Sequence, residues 1–211
     1  GGGVDLIEVG NSGLFNSANS ENLTWTPAGA GNRKIYTVSF WVQRTVFGAQ
    51  QYLFDSQDTF RVYFQAGDTL AVKADGGSID TNRVFRDNGW YHIVIKVDVA
   101  QGAAADRLKL YINGTEETSF SADTRSSISD VDTSWNAAAA HYIGSTYVSS
   151  VYADCYMAEL VNIDGTASLP SVFAEASDDG LYWTPKSSDD IKDLTFGTNG
   201  FYQQYADSAH V

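Results

Sequence analysis

Apolar and polar residues alternate with a period of two along most of this chain. From Tyr36 to Arg44, Tyr36, Val38, Phe40 and Val42 fall on one side and Thr37, Ser39, Trp41 and Gln43 on the other. Such alternation marks a half-buried strand, whose successive side chains point to opposite faces. Phe60, Val62 and Phe64 alternate with Arg61, Tyr63 and Gln65, and Leu70, Val72 and Ala74 follow a Gly67-Asp68 turn. Tyr91, Ile93, Ile95 and Val97 alternate with His92, Val94, Lys96 and Asp98; Leu108, Leu110 and Ile112 alternate with Lys109 and Tyr111. Further turn signals are Asp75-Gly76, Asn88-Gly89, Asn113-Gly114, Asp164-Gly165 and Asn199-Gly200. Asn113-Gly114 predicts a type I′ hairpin, which needs positive φ at both central residues. Two stretches break the rhythm. Leu169–Glu175, with Pro170 at the first helical position, predicts a short helix near 170–175. Glu159 falls on the face of Met157, Val161 and Ile163, which predicts a β-bulge that re-aims the carboxylate. The pattern as a whole predicts an all-β fold of two antiparallel sheets.

Four segments in order resemble the concanavalin A-like, laminin-G-type jelly-roll domains over roughly residues 15–165. They are Tyr36–Val42, Asn88–Val94, Leu108–Gly114, and Tyr142-Ile143-Gly144 leading to Tyr156–Glu159. Other segments resemble bacteriophage virion proteins carrying this domain: Ala30–Lys34, Val84–Asp87, Met157–Gly165, and the run from Ser171 through Gly180–Lys186 to Gly197–Tyr202. The resemblance implies a two-sheet jelly-roll sandwich over residues 1–186, with 187–211 as a C-terminal extension leading toward a continuation. It also implies a tail-fibre, appendage or capsid-surface component on the outside of a virion. Partners implied are other virion subunits, in a homo-oligomer that is a trimer by analogy with fibres, and a bacterial surface glycan.

Composition narrows the classes. The 211 residues carry a net charge of −13, which argues against nucleic acid or an anionic membrane as partner. Acidity comes from 20 Asp and only 6 Glu, and Asp is a turn residue. Cys155 is the single cysteine, so no intrachain disulfide or cysteine-based zinc site forms. No apolar run nears the ~20 residues of a spanning helix, and no signal peptide is evident. The chain opens on Gly1-Gly2-Gly3 and ends at Val211 without an evident terminal element, which reads as a piece of a longer polypeptide.

Candidate chemistry is sparse. Retaining glycosidases need two carboxyl groups ~5–5.5 Å apart, and on a strand these sit at alternate positions. Glu116-Glu117 are adjacent, and Asp130-x-Asp132 lies in a Ser-rich loop without a Glu. No triad stands out around His92, His141 or His210, and Cys155 between Asp154 and Tyr156 reads as a small buried hydrophobe. The expectation is no enzyme, no catalytic residue and no cofactor. Calcium, bound through loop oxygens in related lectin domains, would draw on Asp75, Asp130, Asp132 and Asp154. These acids read instead as solvated turn residues capping local N–H groups, and no metal is assigned. Sugar contact would use exposed loop aromatics: Trp135 in Thr133–Asn136, and Tyr147 and Tyr152 flanking Val148–Val151. Packing of all three on neighbouring virion subunits is the standing alternative, and a glycoside hydrolase or a cellular adhesion domain are the remaining ones.

Overall fold

The computed structural model describes residues 10–57 and 59–206. Its strands are β1 (Gly13–Phe15), β2 (Leu23–Trp25), β3 (Ile35–Arg44), β4 (Gln51–Ser56), β5 (Phe60–Phe64), β6 (Thr69–Ala74), β7 (Gly77–Val84) and β8 (Tyr91–Asp98). They continue as β9 (Leu108–Ile112), β10 (Thr115–Glu116), β11 (Phe120–Asp123), β12 (His141–Ile143), β13 (Cys155–Asp164), β14 (Ala174–Ala176), β15 (Trp183–Pro185) and β16 (Phe201–Gln203). Two short helices, α1 (Ala104–Arg107) and α2 (Ser188–Lys192), interrupt the β structure.

The strands form two antiparallel sheets. The first runs β1-β13-β3-β8-β9-β10, with β16 also on β13; the second runs β11-β7-β6-β5-β4-β12-β2. The main core lies between them, built from the predicted inward sides: Tyr36, Val38, Phe40 and Val42 face Phe60, Val62, Phe64, Leu70 and Val72. The turns obey their chemistry. Asn113 and Gly114 take φ of 48° and 79°, and Asp68 and Asp75 adopt the left-handed region that Asp tolerates. The bulge expected in β13 is there: pairing with β3 slips between Ala158 and Val161, and Glu159 takes φ of 48°. Its carboxylate leaves the core side and accepts a hydrogen bond from the Tyr202 hydroxyl.

The outer face of the first sheet is buried too. Val94, Tyr111, Val161 and Ile163 are covered by Phe173 and Ile191, while Trp41 and Ala158 are covered by Ala174, with Trp183 packed alongside. The cover is built from the chain between Thr166 and Tyr202. Thr37 ties its start, donating from Oγ1 to Thr166 O and accepting from Ser168 N.

One expectation changes here. The helix near 170–175 is a single 3-10 turn, Pro170–Val172, after which Ala174–Ala176 extends and pairs with β15. Burial of Phe173 and Ala174 against the sheet, together with strand pairing, outweighs the weak helical tendency of so short a stretch. Residues 187–206, within the 187–211 extension, pack on the jelly roll: Ile191 is buried and β16 pairs with β13.

Candidate functional site

With the first sheet covered, the outer face of the second is, among the described residues, a broad sheet surface with no further hydrophobic cluster packed on it. Across it, Tyr142, Asp55, Arg61 and Lys73 stand in one cross-strand row, and Tyr52 and Tyr63 in the next. A local irregularity brings these groups together. Tyr52 and Asp55 are three apart and would face opposite sides of a regular strand. The register of β4 against β5 slips between Tyr52 and Phe54, so Tyr52 pairs with Tyr63 and Asp55 with Arg61, all on the outer face.

The geometry is that of an aromatic shelf with a charged margin. The rings of Tyr52 and Tyr63 stack with centroids 4.7 Å apart at 14°. The Arg61 guanidinium lies 5.7 Å from the Tyr52 ring centre, and its Nε is 3.7 Å from Asp55 Oδ2. Burial pushes the Tyr63 phenol up, with the Asp80 charge adding to it. Asp55 is wholly buried, and that burial raises its carboxyl above the usual range against the opposing effects of the Tyr147 amide, Arg61 and Lys73.

The loop from Ser145 to Tyr152 forms the rim. Its ends are joined by a Ser145–Tyr152 bridge and by Thr146 N donating to Val151 O at 3.0 Å. Thr146 Oγ1 accepts from Ser150 N and Val151 N, and the Tyr152 hydroxyl donates to Ser149 O at 2.8 Å. The loop docks on the sheet where Tyr147 N donates to Asp55 Oδ2 at 3.1 Å. Tyr147 is left 42% exposed at the edge of the shelf, and Tyr152 is half-buried.

Trp135, expected beside them, does not belong to this surface. Its ring is completely buried among Trp25, Phe54, Phe60 and His141, and its Nε1 donates to Asn162 Oδ1. The loop that carries it folds back into the core, where an indole finds both apolar contact and a hydrogen-bond acceptor. The groups missed were Tyr52, Asp55, Arg61, Tyr63 and Lys73. The outward side of Arg61 and Tyr63 was visible in the alternation of β5, but the bulge in β4 was not.

The remaining candidates have structural partners. His92 is buried and neutral: its Nδ1 accepts from Trp183 Nε1 and its Nε2 lies 2.8 Å from Ser39 Oγ. His141 sits between Trp25 and Trp135, with Nδ1 2.7 Å from Ala139 O; His210 lies outside the described residues. Cys155 is buried, and burial foremost, with Asp154 beside it, pushes its thiol up to about 12. Glu116 pairs with Lys109 and Glu117 with Arg83. The four calcium candidates are dispersed: Asp75 caps Ser129 N, Asp154 caps Ser17 N, Asp130 pairs with Lys34 and Asp132 with Arg33. Among the described residues no group of three or more His, Cys, Asp or Glu side chains is placed to hold a metal.

Likeness to known proteins bears on this geometry. No curated protein matches the sequence. A solved structure from Bacteroides ovatus, of a protein whose name suggests carbohydrate binding, overlays with a TM-score of 0.56 at 16% identity, covering 74% of this chain and 44% of its own. The heptameric SAP-like pentraxin of Limulus polyphemus gives 0.51 at 13% identity, covering 87% and 85%. Domains LG4-5 of the mouse laminin α1 chain give 0.53 at 12%, covering 76% and 46%. The chain thus spans less than half of the Bacteroides and laminin chains, and identities this low establish the fold alone. The sequence model of one family matches residues 17–172. The chain belongs to the concanavalin A-like lectin/glucanases superfamily.

Proposed function

We propose that this is a non-enzymatic carbohydrate-binding domain whose glycan lies across the Tyr52–Tyr63 shelf. The observation that carries the proposal is the stacked tyrosine pair, Tyr52 buried and Tyr63 half-buried, beside Arg61 on the outer face of the second sheet, with the exposed Tyr147 at its rim. Ring faces stack on the C–H surfaces of a pyranose while hydroxyl and guanidinium groups hydrogen-bond to its oxygens. The buried carboxylate of the face has a structural setting: Asp55 lies beneath the loop, engaged by Arg61 and the Tyr147 amide, which is not the setting of a glycosidase nucleophile. The resemblance of Ala30–Lys34, Val84–Asp87 and the covering segment to phage virion proteins supports a place on a virion surface, where the glycan is that of the bacterial host.

Titration of the purified domain with host surface polysaccharide tests the proposal. Binding is expected, and Tyr63→Ala and Tyr147→Ala each weaken it roughly two- to tenfold, from about 0.5–1.5 kcal/mol per aromatic contact. No binding at micromolar concentration sinks the glycan assignment. A second reading, assembly with neighbouring virion subunits, draws on Val148, which is 59% exposed beside Tyr147. It predicts a trimer in light scattering that Val148→Asp dissociates.

A further inference from the structure

Asp55 is the anomaly of the shelf. It is a carboxylate with no exposed surface, next to the end of β4, and its folded environment shifts it toward the neutral form because burial outweighs the opposing contacts. A charge held at such a cost is poorly explained as a stabiliser, since buried ion pairs often add nothing to stability over an apolar replacement. Its contact with a distant part of the chain is instructive. Oδ2 receives the amide of Tyr147, 92 residues away, from the loop that rims the shelf. Other hydrogen bonds of the loop are internal, from Thr146 to Ser150 and Val151 and from Tyr152 to Ser149. They fix its shape; Gly144 N on Leu53 O at 2.8 Å holds the base of the loop on β4, and the bond to Asp55 holds Tyr147 itself against the shelf. The same carboxylate oxygen lies 3.7 Å from the Arg61 Nε, so one atom references both the rim and the margin of the surface.

We propose that Asp55 is the positioning residue of this surface, registering the Tyr147 loop against the Tyr52–Tyr63 shelf at the expense of stability. The inference rests on the proposed glycan reading for its functional consequence, but the registration itself does not. A structural residue and a positioning residue respond differently to substitution. Asp55→Leu keeps the branched heavy-atom outline, with bulkier methyls in place of the oxygens, and removes the acceptor; Asp55→Asn keeps the volume and an acceptor oxygen and removes the charge.

The test is hydrogen–deuterium exchange across residues 145–152, the urea midpoint, and glycan affinity, measured on the full chain for wild type and both variants. Expected for Asp55→Leu are an unchanged or higher midpoint, exchange at Tyr147 at least tenfold faster, and affinity at least threefold weaker. Asp55→Asn is expected to restore protection of the loop and most of the affinity. Wild-type protection at Tyr147 in Asp55→Leu overturns the proposal. So does a midpoint that falls along with the affinity, or failure to fold, because both make Asp55 an ordinary structural residue. Faster loop exchange with unchanged affinity overturns its role in the surface. Should the wild type bind no glycan, the exchange and midpoint data still decide the registration, while the glycan reading alone falls.

Discussion

His92 occupies a slot that only the neutral imidazole fills. Trp183 Nε1 donates to its Nδ1, Ser39 Oγ lies 2.8 Å from its Nε2, and Trp41 stacks on the ring at 5.0 Å. A proton on Nδ1 would face the indole N–H with a second donor, and burial already lowers the pKa to about 3. Burial likewise lowers His141, between two indoles, to about 4. In the unfolded chain both titrate near 6.5, so between that value and the folded ones the unfolded state binds more protons. Stability is therefore full above about pH 6.5 and falls as pH drops, by about 1.4 kcal/mol per histidine per pH unit below it. Urea midpoints at pH 7, 5.5 and 4.5 check this; His92→Gln is expected to flatten the slope, and a slope unaltered by the substitution contradicts it. At this scale the sequence was only partly legible. The buried, inert Cys155 was readable from one cysteine beside an acid, but Trp135 was not, because its placement depends on Asn162, 27 positions away in β13 of the first sheet. The aspartates are a similar case. Gly67-Asp68 marks a turn, yet Asp68 is 2% exposed and joins Arg44, Arg86 and Gly48 N. Burial raises its pKa, but those donors outweigh that and hold it below the ordinary value.

Elements succeed or fail as predictions according to whether their determinants are local. The Asn113-Gly114 turn is local, and its positive φ values stem from residue type. Its second role is not local: the Trp183 ring rests on Gly114, where an added Cβ would lie 2.9 Å away. Gly114→Ala therefore combines the strain of φ at 79° with displacement of the indole that donates to His92. A loss of about 1–2 kcal/mol is expected from the backbone term alone, with a change in tryptophan fluorescence. Gly102→Ala, where no atom lies within 4 Å, is the control and should leave both unchanged. The short helix near 170–175 failed for the complementary reason, since pairing with β15 and burial of Phe173 decide that stretch. The slip in β4 that gathers the shelf leaves no periodic trace, because Tyr52, Leu53 and Phe54 stand in succession and no polar residue among them marks the extra position. In β13, by contrast, Glu159 betrayed the bulge by standing among apolar neighbours.

For the molecule as a whole, the family model ends at Val172, while the cover over the first sheet is built largely from residues C-terminal to that point. Phe173, Ala174, Trp183, Ile191, Phe196 and Tyr202 turn a sheet with one wet face into a sheet buried on both. That explains why Thr37, Ser39, Trp41 and His92, on the nominally polar side of the alternation, are each no more than 1% exposed. On the proposed reading it leaves the outer face of the second sheet, where the tyrosine shelf lies, as the face that meets a ligand. If the cover is integral, a chain ending at Val172 exposes Trp41, Val94, Tyr111, Val161 and Ile163 together, and frees the edge of β13 that β16 occupies. An apolar patch of that kind beside an open strand edge favours association. The truncated chain is expected to elute as aggregate, to bind a hydrophobic dye and to lose its near-ultraviolet circular dichroism. A monodisperse monomer that unfolds cooperatively at the midpoint of the full chain would show that the cover is an appendage. In that event the outer face of the first sheet would become available to ligands as well, and Trp41, Trp90 and His92 would compete with the shelf for the glycan.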